Sequence, residues 1–161
     1  MTRDERLIAF CQGAIRIPSP SGQEKGVAEL MKRKMEEYGF DEVIIDRFGS
    51  VLGKIHGKRP GRTVLMDGHI DNVDVIDAPQ WKHDPFGGEI DGGRIYGRGA
   101  SDMKGSVTAM ISAAAHLAED TDRDFAGTVC VSCTVHEECF EGVSSREISR
   151  LARPDFVIIG E

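Results

Sequence analysis

The chain has 161 residues, with 27 acidic side chains against 20 lysines and arginines, a formal net charge of −7 and a hydrophobic share of 40%. That length suits one sizeable core, and an acidic balance with no basic stripe among aromatics excludes a nucleic-acid surface. No apolar run is long enough for a membrane span and no targeting segment opens the chain, so a soluble cytoplasmic protein with no membrane partner is expected.

Residues 3–16 set Leu7, Phe10, Cys11, Ala14 and Ile15 at helical spacing, and "IPSPSG" stops that helix. Ser21 and Glu24 read as a capping box opening a second helix that runs to Tyr38, with Gly39 as its stop. Strands are predicted over 42–48 and 50–57, hinged at Gly49, followed by a turn over 57–62. "TVLMDGHI" (63–70) is apolar enough for a central strand. From Asp71 to Gly99 the only regular piece expected is a short hairpin turning at Asp91–Gly93, and a connection of that length is usually functional. Residues 104–119 form a buried helix, 127–138 a strand ending in acids, 142–152 a short helix and 154–161 a last strand. Helices between strands predict a layered α/β/α fold with a mixed, partly parallel sheet.

Three strands thus run from apolar residues into polar ones, where ligands of open α/β sheets collect. His69 and Asp71 are two apart, so on an extended backbone they point the same way, and a carboxylate or carbonyl on the second imidazole nitrogen fixes a metal-binding tautomer. Taken alone, such a pair is ordinarily a satisfied strand-end histidine beside a turn-capping acid. Asp102, just ahead of the apolar helix, suits an N-cap and equally a rigidly held, ionised ligand. Glu137 and Glu138 repel each other unless a cation or proton intervenes, and Glu161 is one more acid after an apolar strand. Asp67, Asp74 and Asp77 read as surface acids; His56 and His83 receive no role, His116 reads as a surface or satisfied core residue, and His136 precedes the Glu pair on the opposite strand face to Glu137.

Of the four cysteines, Cys130 and Cys133 have zinc-knuckle spacing but no second pair, and on a strand they face opposite sides. They read as reduced packing residues, as does Cys11, while Cys139 lies near the acids without a clear base to make it a nucleophile. "GRGASDMKGS" lacks the last glycine of a dinucleotide fingerprint and is not a Walker loop. A glycosidase-type acid pair would leave His69 without a task.

"GHIDNV", "DPFGGEIDGGRIYGRGASDMKGS", "TVHEECFEG" and "VIIGE", in that order, resemble the M20 metallopeptidase family. That family includes acetylornithine deacetylase, succinyl-diaminopimelate desuccinylase and carboxypeptidase G2-like enzymes. The likeness is greatest to its selenium-metabolism-linked hydrolase subgroup. The resemblance implies a zinc-peptidase-like catalytic domain with two divalent cations, zinc first, with cobalt or manganese as substitutes. It implies His69 and Glu161 on one ion, Glu138 on the other, Asp102 bridging both, Asp71 orienting His69, and Glu137 as general base toward a bridging water. A cis peptide after Asp102 belongs to the same pattern.

The implied reaction is hydrolysis of an amide, peptide-like or N-acyl, in a small molecule or short peptide. Other C–N bonds of the ureido or amidine kind, or a non-catalytic metal-binding role, are the alternatives. Family members are much longer and form dimers through an inserted lid domain. Residues 1–161 are therefore expected to be the N-terminal portion of the catalytic domain, lacking the lid and the distal histidine of the second ion, and inactive alone.

Overall fold

In the computed structural model, which describes residues 1–140 and 142–161, seven strands and four α-helices follow the expected alternation. The first helix, α1 (Arg3–Ile15), buries Phe10, Cys11, Ala14 and Ile15, four of the five residues the periodicity selects. Its start carries the real capping box. The Glu5 N–H donates to Thr2 Oγ1 at 3.1 Å, and the Thr2 N–H donates to Glu5 Oε2 at 2.8 Å.

The box expected at Ser21 and Glu24 does not form: α2 (Lys25–Glu37) begins without a side-chain cap, because both side chains are engaged elsewhere. Val27, Ala28, Met31 and Met35 form its buried face.

Strand β1 (Glu42–Ile45) is shorter than predicted, since Asp46 Oδ1 accepts the N–H groups of Phe48, Gly49 and Ser50 and folds the chain into a turn. Gly49 holds φ +102° there, a conformation that favours glycine. Next come β2 (Val51–His56) and β3 (Arg59–His69), the latter starting within the predicted turn. Arg59 pairs with Ala126 before an irregularity resets the register at Thr63. The hairpin is present as β4 (Glu89–Asp91) and β5 (Arg94–Tyr96). The remaining elements are α3 (Lys104–Asp120), β6 (Ala126–Thr134), α4 (Val143–Ala152) and β7 (Phe156–Ile159).

Five strands make one sheet in the order β1-β2-β6-β3-β7. β1, β2 and β6 pair antiparallel, whereas β6, β3 and β7 run parallel, so the sheet is mixed as the sequence predicts. Helices α1, α2 and α3 pack on one face around Phe10, Met31, Val107 and Val131, and α4 covers the other through Ile148 and Ala152 against Leu52 and Leu65. The layers are α/β/α.

Cys133 belongs to the first core and Cys130 to the second, so the pair faces opposite sides of β6. Burial pushes the Cys130 thiol up to about 11 and Cys133 higher still, and the four cysteines are free. At Gly68 an added Cβ would lie 2.6 Å from Met103 Cε, so glycine lets α3 close onto the end of β3. That approach brings Asp102 up to His69.

Candidate metal centre

The carboxyl ends of β3, β6 and β7 point the same way, and the loops beyond them carry the acids. β6 stops at Thr134, four residues sooner than predicted. His136 then adopts left-handed φ +60°, which puts Glu137 and Glu138 on a turn rather than on a strand end. Asp71 holds this turn. Its Oδ1 accepts the Glu137 N–H and its Oδ2 the Glu138 N–H, each at 3.1 Å, and Ser21 Oγ donates to Oδ2 at 2.7 Å. Burial alone would raise the Asp71 pKa, but His69, Ser21 and the two backbone N–H groups outweigh it and keep the group below its ordinary value. Asp71 is fully buried and ionised.

His69 is buried at 1% exposure, with its two ring nitrogens in different settings. Nδ1 lies 3.0 Å from the Asp71 main-chain oxygen and 3.4 Å from Asp71 Oδ1. The carbonyl therefore takes the hydrogen bond, while the carboxylate acts by its charge. Such a partner on Nδ1 leaves Nε2 for a ligand. Nε2 lies 2.9 Å from Asp102 Oδ1 and 3.9 Å from Glu137 Oε2. Burial alone would lower the His69 pKa, yet Asp71 and Asp102 lift it to about 9.

Ligand atoms of His69, Asp102 and Glu138 all fall within 4.8 Å of one another. The peptide between Asp102 and Met103 is cis. Glu137 and Glu138 are both raised above the ordinary carboxylate range, first by burial; Glu161 adds to the effect at Glu137, and Asp102 at Glu138. An imidazole and three to four carboxylates pressed together in this way suit a divalent cation, which would relieve the repulsion. Glu161 is exposed after β7 and close enough to act on Glu137, but it is outside the group formed by His69, Asp102 and Glu138.

Other assignments change. Asp67 is not a surface acid: it is half-buried on β3 and accepts a hydrogen bond from Ser132 Oγ, and burial raises its pKa. Ser19, Ser21, Glu24 and Asn72, which sequence reading left out of the site, contact its loops. Ser21 and Glu24 carried a signal, but it matched a helix cap as well as a site contact. His83 stacks on Tyr96 and lies 2.9 Å from Glu89 in the hairpin region. His56 pairs with Glu42 on the surface. Among the described residues no helix is long and apolar enough to cross a membrane.

The "Uncharacterized protein YgeY" of Escherichia coli (strain K12) is 38% identical over 158 residues, covering 96% of this chain and 38% of that protein. A succinyl-diaminopimelate desuccinylase of Cereibacter sphaeroides (strain ATCC 17029 / ATH 2.4.9) is 38% identical over 133 residues, 81% of this chain and 34% of its own. The chain thus spans under two fifths of the curated relatives it matches.

Among solved structures, the M20 family metallo-carboxypeptidase Sso-CP2 of Sulfolobus solfataricus superposes with a TM-score of 0.77 at 24% identity, over 99% of this chain and 37% of that one. A dinuclear metal binding peptidase from the M20 family of Bacillus subtilis gives a TM-score of 0.71 at 22% identity, over 98% of this chain and 42% of its own. These share the fold. With residues 65–161, the stretch that carries every candidate ligand, matching the model of Peptidase family M20/M25/M40, the chain belongs to that family.

Proposed function

We propose that this chain carries the catalytic centre of a metal-dependent hydrolase that cleaves an amide, peptide-like or N-acyl, in a small molecule or short peptide. The observation that carries the reading is the convergence of His69, Asp102 and Glu138 donor atoms within 4.8 Å, with Glu137 Oε2 3.9 Å from His69 Nε2. The names of two relatives, a desuccinylase and a metallo-carboxypeptidase, support an amide as the bond cleaved.

His69 and Glu161 would hold one divalent cation and Glu138 the other, with Asp102 between them; zinc suits an imidazole-and-carboxylate set, and cobalt or manganese could replace it. When bound, such ions lower the pKa of water and polarise the scissile carbonyl.

The chain's own residues do the rest. Glu137, raised above its ordinary pKa by burial and its acidic neighbours, takes the proton from the attacking water and passes it to the leaving nitrogen. Asp71 fixes the His69 tautomer through its main-chain oxygen and presents Glu137 and Glu138 through their N–H groups. The whole protein would act as a homodimer, in the manner the family resemblance implies. Metal content and amidase activity of the full-length protein beside its Glu137→Gln variant test the assignment. Retained metal with turnover reduced about 10²–10⁴-fold supports it, and absence of metal from both contradicts it.

A further inference from the structure

One short segment touches the chain beside three of the four candidate ligands, His69, Asp102 and Glu138. Residues 17–24 join α1 to α2. At one end the Ile17 carbonyl accepts Lys104 Nζ at 2.7 Å, tying the segment to the start of α3 beside Asp102. Lys104 is fully buried. In the middle, Ser19 Oγ donates to the Ile70 carbonyl at 2.7 Å and the Ser19 carbonyl accepts the Asn72 N–H at 3.0 Å. Pro20 forms a parallel bridge with Asn72. Ser21 Oγ donates to Asp71 Oδ2, as described above. At the far end Glu24 Oε1 accepts the Gly22 N–H at 2.9 Å and the His136 N–H at 3.1 Å.

Glu24 is only 5% exposed, and a carboxylate that deeply placed requires its hydrogen bonds. The one it makes to His136 falls where the chain enters the left-handed region, at φ +60°, just before Glu137. Non-glycine residues adopt that conformation at a cost that surrounding contacts must offset. Glu24 supplies one such contact, because its Oε1 accepts the His136 N–H and lies 3.7 Å from His136 Nδ1, while the His136 carbonyl accepts the Phe140 N–H at 2.8 Å within the turn itself.

We propose that residues 17–24 brace the metal centre, and that Ser21 and Glu24 are positioning residues, Ser21 acting through Asp71 and Glu24 through the His136 backbone to set Glu137 and Glu138. This rests on reading the site as a metal centre. Neither residue touches the ligand group; each holds something that does.

The test compares wild type with Glu24→Ala, Glu24→Gln and Ser21→Ala, by amide hydrogen exchange without metal and by Co2+ titration followed in the visible spectrum. Glu24→Ala strands the His136 N–H, so exchange at His136 and Glu137 should accelerate about tenfold or more. Its Co2+ affinity should fall about 10–100-fold with an altered absorption band. Glu24→Gln keeps an acceptor and should stay near wild type. Ser21→Ala should weaken Co2+ binding several-fold and shift the band while His136 exchange is unchanged.

Wild-type exchange and affinity in Glu24→Ala would overturn the brace, and so would Glu24→Gln falling as far as Glu24→Ala. Should Glu24→Ala not fold, an unchanged band and affinity in Ser21→Ala would overturn it instead. A wild-type chain that takes up no Co2+ counts against the metal reading, and exchange at His136 then decides the brace independently.

Discussion

Asp71 and Glu137 are joined across 66 residues of chain by a 3.1 Å hydrogen bond from the Glu137 N–H to Asp71 Oδ1. Asp71 also meets His69 at the end of β3, where its main-chain oxygen takes the Nδ1 hydrogen bond and its carboxylate adds charge at 3.4 Å, so one buried residue supports both an imidazole and a glutamate. A second bond of equal length, from the Glu138 N–H to Oδ2, makes the arrangement two-pronged.

Asp71→Asn should therefore damage the site without emptying it. An amide offers one acceptor oxygen, so one of the two N–H groups would face an NH2 group. Metal affinity should fall about 10–100-fold, as for loss of groups that orient metal ligands. Stability should fall by about 1–3 kcal/mol, the usual cost of a buried donor left unpaired. Calorimetric titration and thermal melting read both; unchanged affinity would show that the Asp71 carboxylate does not support the ligand group.

The second expectation concerns pH. Folding raises the His69 pKa from 6.5 to about 9 in the metal-free protein, so the native state binds more protons than the unfolded chain between those values. Stability from this group is therefore complete below pH 6.5 and is lost as pH rises through about 9. Metal binding needs the neutral ring, so affinity should climb with pH until about 9, and uptake at pH 7 should release close to one proton from His69. Titrations in buffers of different ionisation enthalpy measure that proton; affinity independent of pH above 7 would contradict it.

The cysteines should be irrelevant to metal. Cys130 and Cys133 lie on opposite faces of β6 in separate cores. Cys130→Ala and Cys133→Ala should each lower stability through lost packing by about 1 kcal/mol or somewhat more, seen as a lower melting temperature, with metal content unchanged. Loss of metal in either variant would reopen a thiolate site.

Of the two edge strands of the sheet, β7 should govern the association of the 161-residue chain. Phe156, Val157, Ile158 and Ile159 on β7 are 51%, 47%, 55% and 70% exposed, an apolar strand with one edge unpaired among the described residues. Such edges pair with other chains. Val157→Lys should reduce association of the 161-residue chain, measured by light scattering, without altering its circular dichroism. Equal association in both would place the contact elsewhere.

Much of this was legible in the sequence because strand and helix periodicities are local. Leu65, Gly68 and His69 announce a buried strand with a polar end, and the parallel register of β3 with β6 and β7 follows from the helices between them. The residues around the site were legible as types: His69, Asp71, Asp102, Glu137 and Glu138 are chemically conspicuous where apolar runs stop. What was hidden depends on contacts distant in sequence. Ser21 and Glu24 satisfy the capping-box pattern, yet Asp71 and the His136 N–H, 50 and 112 residues away, claim their side chains. Asp67 looks like a surface acid because nothing nearby in sequence shows that Ser132, on the neighbouring strand, will meet it. The early end of β6 had no local signal either, since His136 is not a glycine and its N–H meets Glu24, 112 residues away, where the chain turns left-handed.

The most direct test of the central claim is anomalous X-ray scattering from crystals of the protein grown with Zn2+. The account predicts a peak about 2.0–2.2 Å from His69 Nε2 and from carboxylate oxygens of Asp102 or Glu138. A peak elsewhere on the surface, or none at His69 with zinc in excess, would contradict it.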